Sequence, residues 1–225
     1  RHVRLPMMLR QWTVAVQPTH TPWVITPTAT PTTELEGDVY VLPNSHGYMD
    51  EGGGLLAVGE VQNDTGSILT DVLVTVHIYD DDGSWLASAS NYVLLDRLLP
   101  GGHTCFHVYH EPIAGAYQFD IDSPDYSTTT EVPPSLVFTD HSARYDSGWI
   151  VIDGEVTNEE EQSVIDGRVV GAIYDAEYTV LGCEYCYLDN SDLGPGESST
   201  FELTFTDRDY EDVLHYFIQA EGDWP

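Results

Sequence analysis

The sequence contains no lysine, and its seven arginines are outnumbered by 38 aspartates and glutamates, which gives a formal net charge of −31. Nucleic acids and anionic membrane surfaces carry charge of the same sign, so we expect the chain to bind neither. A run of about 18 apolar residues, which a membrane-spanning helix needs, is also missing. We therefore predict no nucleic-acid partner and no direct insertion of the mature chain into a membrane.

Common catalytic motifs are missing as well. The sequence has no Gly-x-Ser-x-Gly elbow, no phosphate-binding loop and no His-Glu-x-x-His pair. Glu60 and Glu155 occupy equivalent places in an internal repeat, which favours a structural, outward-facing role over acid–base chemistry. From these observations we predict that the protein is not an enzyme.

Cysteine is scarce, with three residues in the chain. Cys183 and Cys186 have the spacing of a zinc knuckle or a redox pair, but zinc needs a second pair of ligands that the sequence does not offer. A redox role needs a helix N-terminus to lower the thiol pKa, and this pair lies on a predicted strand or its bend. We predict a local Cys183–Cys186 disulfide or two buried thiols, with no evident partner for Cys105.

An internal repeat organises the chain. Residues 55–110 recur at residues 150–205, offset by 95 positions without a gap and with 15 identities in 56 positions. Solenoid units are shorter, at roughly 20–50 residues, so this repeat indicates a duplicated domain. Strand-like alternation and the turns at Pro100-Gly101 and Pro195-Gly196 favour antiparallel β-structure in both copies.

Comparison of the two copies predicts which side of each strand is buried. Ala57 and Val61 correspond to apolar residues, whereas Val58 corresponds to Asp153. Because side chains alternate along a strand, the odd positions are predicted to face the core and the even positions to face water.

The order of motifs in each copy resembles the FxLYD family, small immunoglobulin-like domains of exported bacterial and archaeal proteins. Each copy has Gly-Glu-Val-x-Asn, a strand ending in Ile-Tyr-Asp, a Pro-Gly turn and a Phe-containing strand. The sequence departs from the family's name motif, with Val76 or Gly171 in place of Phe and Ile78 or Ile173 in place of Leu. The resemblance implies an extracytoplasmic location and no known catalysis.

These observations predict an all-β protein of two tandem immunoglobulin-like antiparallel β-sandwich domains, with an extended N-terminal strand and a Thr/Pro-rich spacer. We place the domains at residues 34–122 and 135–225, with a linker at residues 123–134.

Residues 1–33 are predicted to form an arm, with a short strand at residues 11–17 and an extended Thr/Pro-rich spacer at residues 18–33. The arm has three arginines and no acid, whereas residues 34–225 hold 38 acids and four arginines, a formal charge of −34. Thr/Pro tracts are typical of exported stalks, and the chain starts at Arg1 without a signal-peptide region. We predict an extracellular or cell-surface location after export and processing.

Possible ligand and modification sites are few. His103, Cys105 and His107 alternate along one strand and are the candidate transition-metal ligands, weighed against a half-exposed strand that happens to be rich in histidine. The acidic runs at Asp80–Asp82 and Asp120–Asp125 suit weak Ca²⁺ binding or, alternatively, solvated turns. No cofactor is otherwise expected.

Asn63-Asp64-Thr65 is a glycosylation sequon, which makes Asn63 a candidate modification site.

The arm suggests how the protein assembles. A strand on a spacer can add to a sheet edge of the next subunit, with Trp12, Val14 and Val16 in apolar pockets and Arg4 and Arg10 against the acidic body. Such head-to-tail contacts build filaments unless the rotation closes. We predict a non-enzymatic fibre subunit whose partner is another copy of itself. The alternative is a monomeric surface or lipoprotein-type binding module with the arm as a stalk.

Overall fold

The computed structural model describes residues 37–49, 54–206, 210 and 213–225. Every regular element in these ranges is a β-strand, and all the strand pairs are antiparallel, which confirms the all-β prediction. Within the same ranges there is no helix long and apolar enough to cross a membrane. The predicted arm, including Arg4, Arg10, Trp12, Val14 and Val16, lies outside the described residues.

The strands, in chain order, are β1 (Val39–Val41), β2 (His46–Met49), β3 (Leu55–Asn63), β4 (Ile68–Tyr79), β5 (Trp85–Tyr92), β6 (His103–His110), β7 (Gln118–Ile121), β8 (Asp125–Thr129), β9 (Leu136–Asp146), β10 (Trp149–Asn158), β11 (Ile165–Tyr174), β12 (Val180–Tyr187), β13 (Ser198–Phe205) and β14 (His215–Asp223).

These strands form four sheets, which we number in the order in which they stack. Sheet S1 contains β5, β4, β7 and β8, and sheet S2 contains β1, β2, β3 and β6. Sheet S3 is ordered β12-β11-β14, and sheet S4 is ordered β13-β10-β9. The stack has three apolar layers, because buried side chains fill the spaces between S1 and S2, between S3 and S4, and between S2 and S3.

The internal repeat of the sequence is also a repeat of the structure. Strands β5 and β12, and likewise β6 and β13, begin and end at positions that differ by 95 residues. Asp71 and Asp166, which also differ by 95, share a left-handed backbone with φ values of 52° and 53° beside a register shift in β4 and β11. The left-handed region is uncommon for a residue with a Cβ, so its recurrence indicates that both copies follow one backbone plan.

The two predicted Pro-Gly turns are confirmed. Gly101 and Gly196 each have a φ of 73°, which glycine adopts without steric cost. Their N–H groups donate to the carbonyls of Asn63 and Asn158 at 2.7 and 2.8 Å. The turn therefore ties the strand that follows it to the end of β3 in the first copy and of β10 in the second.

The predicted exposure of the even positions is wrong for the first copy. Val58 is 0% exposed, whereas its counterpart Asp153 is half-buried and pairs with Arg144. The reason is that the second face of S2 is covered by S3, so β3 is buried on both sides, while the same face of S4 meets solvent.

An irregular segment before β3 is one of the differences between the two copies. The second copy has one long strand, β9, where the first has the short strands β1 and β2 separated by residues 42–45. Pro43 lies in this break and cannot donate a ladder hydrogen bond. The break places Asn44 beside the second copy, where its carbonyl accepts the N–H of Val180 at 3.0 Å.

Candidate functional site

A disulfide crosses the layer between S2 and S3, which we call the joint. It links Cys105 on β6 to Cys183 on β12, with 5.9 Å between the Cα atoms and 78 positions between the residues in sequence. Both half-cystines are buried among apolar side chains from the two copies. The joint therefore combines a covalent bond with a hydrophobic core.

The predicted Cys183–Cys186 bridge is wrong, and strand geometry gives the reason. Residues three apart on a strand point to opposite faces of the sheet. Cys183 faces the joint, while Cys186 is a free thiol on the other face, packed against the core between S3 and S4. Burial raises the pKa of the Cys186 thiol to about 11, so it has little thiolate at neutral pH.

A carboxylate is buried in the joint. Glu60 on β3 is 3% exposed, and it accepts hydrogen bonds from the Tyr174 hydroxyl and the Asn44 amide, both at 2.7 Å. The Nε2 atom of His103 lies 3.4 Å from the same carboxylate. A buried carboxylate is costly unless it is hydrogen-bonded, so these three partners explain how Glu60 is accommodated. The predicted outward-facing role of Glu60 is therefore wrong.

Tyr174 is the last residue of β11 and lies at a register shift between β11 and β12. Burial raises the pKa of its hydroxyl, and the charge of Glu60 raises it further. Tyr174 thus stays protonated and acts as a donor. The equivalent glutamate of the second copy, Glu155, is half-buried and accepts a hydrogen bond from the Thr139 hydroxyl at 2.9 Å. Both copies therefore have this glutamate, but it is buried only in the first copy, where S3 covers S2.

The predicted metal site does not assemble as a ligand set. The sulfur of Cys105 is bonded to Cys183, His103 stacks on the Phe217 ring with centroids 4.7 Å apart, and Nδ1 of His107 lies 3.0 Å from the Cys183 carbonyl. In the part of the chain that the structure describes, no group of three or more potential metal-binding side chains is found. The two histidines instead help to fill the joint.

Ion pairs close one rim of the joint. Arg168 contacts Asp96 of the first copy at 2.8 Å and also pairs with Glu221. The N–H of Asp96 donates to the Glu221 carboxylate at 3.1 Å, and Arg97 pairs with Asp223. The cleft here has a volume of about 40 Å³, and charged side chains form most of its lining.

The predicted glycosylation at Asn63 is contradicted by its burial. Asn63 is 0% exposed, and its amide nitrogen, the atom that would carry a glycan, donates to the carbonyls of Ser67 and Leu98 at 2.9 and 3.0 Å. Asn158 makes the equivalent bonds to Gln162 and Leu193 at 2.9 and 3.0 Å. The asparagine is thus a structural residue of the repeat.

The acidic runs have local partners. Asp80 accepts the backbone N–H groups of Asp82 and Ser84 at 3.0 and 2.8 Å, which shapes the turn between β4 and β5. Asp122 instead lies 2.8 Å from Nε2 of His77, whose other ring nitrogen is 2.6 Å from the Ser88 hydroxyl. No local sequence pattern predicts this constellation, because its members lie on three separate strands or their ends.

Comparisons with known proteins give distant structural matches. No protein-family model matches the chain, and no curated protein matches it significantly. Among solved structures, a red sea bream transglutaminase matches 83% of this chain and 29% of its own, at 8% identity and a TM-score of 0.28. An exo-chitosanase of Amycolatopsis orientalis matches 80% of this chain and 25% of its own, at 11% identity and a TM-score of 0.28. A β-glucuronidase of glycoside hydrolase family 2 matches 95% of this chain and 29% of its own, at 12% identity and a TM-score of 0.23.

These matches correct the prediction that the protein is not an enzyme. The solved structures named here belong to a transglutaminase and to glycoside hydrolases, so the prediction that this protein is not an enzyme is not upheld. The chain spans less than a third of the length of each of them. Identities of 8–12% and TM-scores of 0.28 or lower likewise assign none of their activities to this chain.

Proposed function

We propose that the protein is an extracellular structural subunit that assembles head-to-tail into a filament by donating its N-terminal strand. In this proposal each copy is an immunoglobulin-like β-sandwich of the FxLYD type, one made by S1 and S2 and the other by S3 and S4. The arm of one subunit, residues 1–33, pairs with a sheet edge of the next.

The observation that carries the proposal is the joint. The Cys105–Cys183 disulfide, the apolar layer around it and the buried Glu60 hold the two copies as one body. A subunit that transmits load along a fibre needs such a connection, because a flexible linker between sandwiches would yield first.

Strand β9 is the acceptor edge that we favour. It has 11 residues and pairs along one side with β10, and among the described residues no strand pairs with its other side, which can therefore accept a seven-residue donated strand. Phe138 and Ala143 on β9 are half-buried against the neighbouring core and offer an apolar seat for Val14 and Val16.

Charge supports the same edge. Asp140 and Asp146 on β9 are exposed, whereas Asp153 on the adjacent strand is already paired with Arg144 of β9. Arg4 and Arg10 of the arm have the opposite sign. Attraction of this kind speeds association and sets orientation more than it adds affinity.

The test begins with electron microscopy of the native, full-length protein at moderate salt, where ordered fibres are expected. Deleting residues 1–33 should leave single particles. Adding a synthetic peptide of residues 1–33 should then give a one-to-one complex, whereas a control peptide with Val14→Asp and Val16→Asp should not bind, since one face of its strand is charged.

Normal polymers from the deleted protein would refute strand donation. Dispersed full-length particles that are readily cut by protease around residues 28–33 would instead indicate the alternative, a surface or lipoprotein-type binding module with the arm as a stalk.

A further inference from the structure

The outer face of S1 carries a chain of polar side chains that the assembly proposal does not use. The hydroxyl of Ser88 lies 2.6 Å from Nδ1 of His77, and Nε2 of His77 lies 2.8 Å from the carboxylate of Asp122. The indole N–H of Trp85 donates to the Ser88 oxygen at 3.1 Å. A hydroxyl, an imidazole and a carboxylate are thus connected in series.

Three neighbouring strands position these groups. In the strand register, His77 of the central strand β4 is opposite Ser88 on β5 and opposite Asp120 on β7. Asp122 follows β7, where its N–H donates to the Thr75 carbonyl at 3.0 Å. Cross-strand partners have Cβ atoms about 5 Å apart on one face of a sheet, so the backbone fixes the order of the groups.

The hydrogen-bond directions follow from the groups themselves. The carboxylate of Asp122 only accepts, so Nε2 of His77 holds the ring proton and Nδ1 is left as an acceptor. Nδ1 therefore receives the Ser88 hydroxyl proton, and the Trp85 N–H, which can only donate, meets a lone pair of the Ser88 oxygen. This is the order of groups that activates a serine nucleophile, with the two ring nitrogens exchanged relative to the serine proteases.

The repeat shows that the fold does not require this constellation. In the strand register the positions equivalent to His77, Ser88 and Asp122 in the second copy are Ala172, Cys183 and Gln219, of which the first two belong to the joint. The same backbone plan therefore does not need an imidazole, a hydroxyl and a carboxylate at these three places. It carries the polar set only on the face that is open to solvent.

We propose that Ser88 is a nucleophile that accepts acyl groups from esters, with His77 as its general base. The Ser88 oxygen attacks the ester carbonyl carbon while its proton moves to His77 Nδ1. The ester C–O bond then breaks, and the leaving alcohol takes that proton. The carboxylate of Asp122, which contacts His77, and that of Asp120, which lies opposite His77, stabilise the imidazolium formed in between.

Hydrolysis completes the cycle. Water gives its proton to His77, adds to the acyl carbon and releases the carboxylic acid as Ser88 recovers its proton. Ser88 and Asp122 are exposed on this face, and Trp85 is 63% exposed beside the serine. The substrate class that fits is therefore an ester that protrudes from a larger molecule, rather than a small molecule enclosed in a pocket.

The chain contains a matched control for the experiment. Ser90 is on the same strand and face as Ser88, and its hydroxyl is paired with that of Thr75 at 2.8 Å, without an imidazole. The full-length protein is treated with a fluorophosphonate probe, and separately with p-nitrophenyl acetate, and the modified peptides are mapped by mass spectrometry. We expect Ser88 to react at least about 100-fold faster than Ser90, the low end of general-base catalysis.

Variants separate the roles of the groups. His77→Ala should reduce the rate at Ser88 to that of Ser90, and Asp122→Asn should lower it while a folded protein is retained, as checked by circular dichroism. Ser90→Ala and Thr75→Ala should leave the Ser88 rate unchanged. The proposal is overturned if Ser88 in the wild type reacts no faster than Ser90 or than the urea-unfolded chain, a comparison that needs no variant.

Discussion

Removing the disulfide of the joint should cost a large part of the protein's stability. Cys105→Ala together with Cys183→Ala is the suitable change, because both positions are almost fully buried and alanine adds no unpaired hydroxyl. The bond spans 78 positions. Closing a loop of that length lowers the entropy of the unfolded chain by about 15 cal/mol/K. The free energy of unfolding of the variant should therefore be about 4.5 kcal/mol lower at 25 °C.

Urea denaturation followed by tryptophan fluorescence measures this loss. Reduction of the wild type should reproduce it, whereas Cys186→Ala, which removes no cross-link, should cost about 1 kcal/mol. Alkylation of the oxidised protein in urea should modify one thiol, that of Cys186. A loss below about 1 kcal/mol in the double variant, or three alkylated thiols without reductant, would contradict the reasoning.

The remaining predictions also use urea denaturation. Val58→Asp should lower the free energy of unfolding by about 3–5 kcal/mol, because it buries an unpaired charge in the joint. Asp153→Val on the open face of S4 should change it by about 1 kcal/mol or less. Equal effects of the two variants would refute the burial of S2, but not S4, on its second face. Tyr174→Phe should cost about 1.5–3 kcal/mol, since a buried carboxylate loses a donor. The raised pKa of Tyr174 stabilises the fold below pH of about 10, and this contribution falls as the pH rises further, a fall that the Phe variant should lack. Asn63→Ala and Asn158→Ala should each cost about 2 kcal/mol, and wild-type protein from a glycosylating host should show an unmodified Asn63 peptide.

The strands and turns were predictable because they depend on local pattern. The alternation in the two copies and the recurring Pro-Gly turns indicate β-structure wherever the chain folds, and a shared backbone plan preserves both. The joint was not predictable in the same way. Which sheet faces pack together depends on contacts between distant segments. The contrast between Val58 and Asp153 predicts exposure in both copies from pattern alone, whereas in the structure it marks burial in the first.

Two of the wrong site predictions had signals in the sequence. An odd spacing on a strand already separates Cys183 from Cys186, and only an even spacing would have placed them on one face. The sequon at Asn63 is matched by Asn158, which is followed by Glu159-Glu160 and so is not a sequon. An asparagine kept in both copies without its sequon indicates a structural amide. The partner of Cys105, by contrast, required the docking of the two copies.

The disulfide also limits how far the molecule extends under tension. A pulling force applied at the ends can unravel only the chain outside the covalent loop, because the segment between Cys105 and Cys183 is held at its base. At about 3.5 Å per residue, the 78-position loop withholds roughly 270 Å of contour length. Single-molecule stretching should therefore show a final extension that lengthens by about that amount when reductant is added, so the bond acts as a strain limiter.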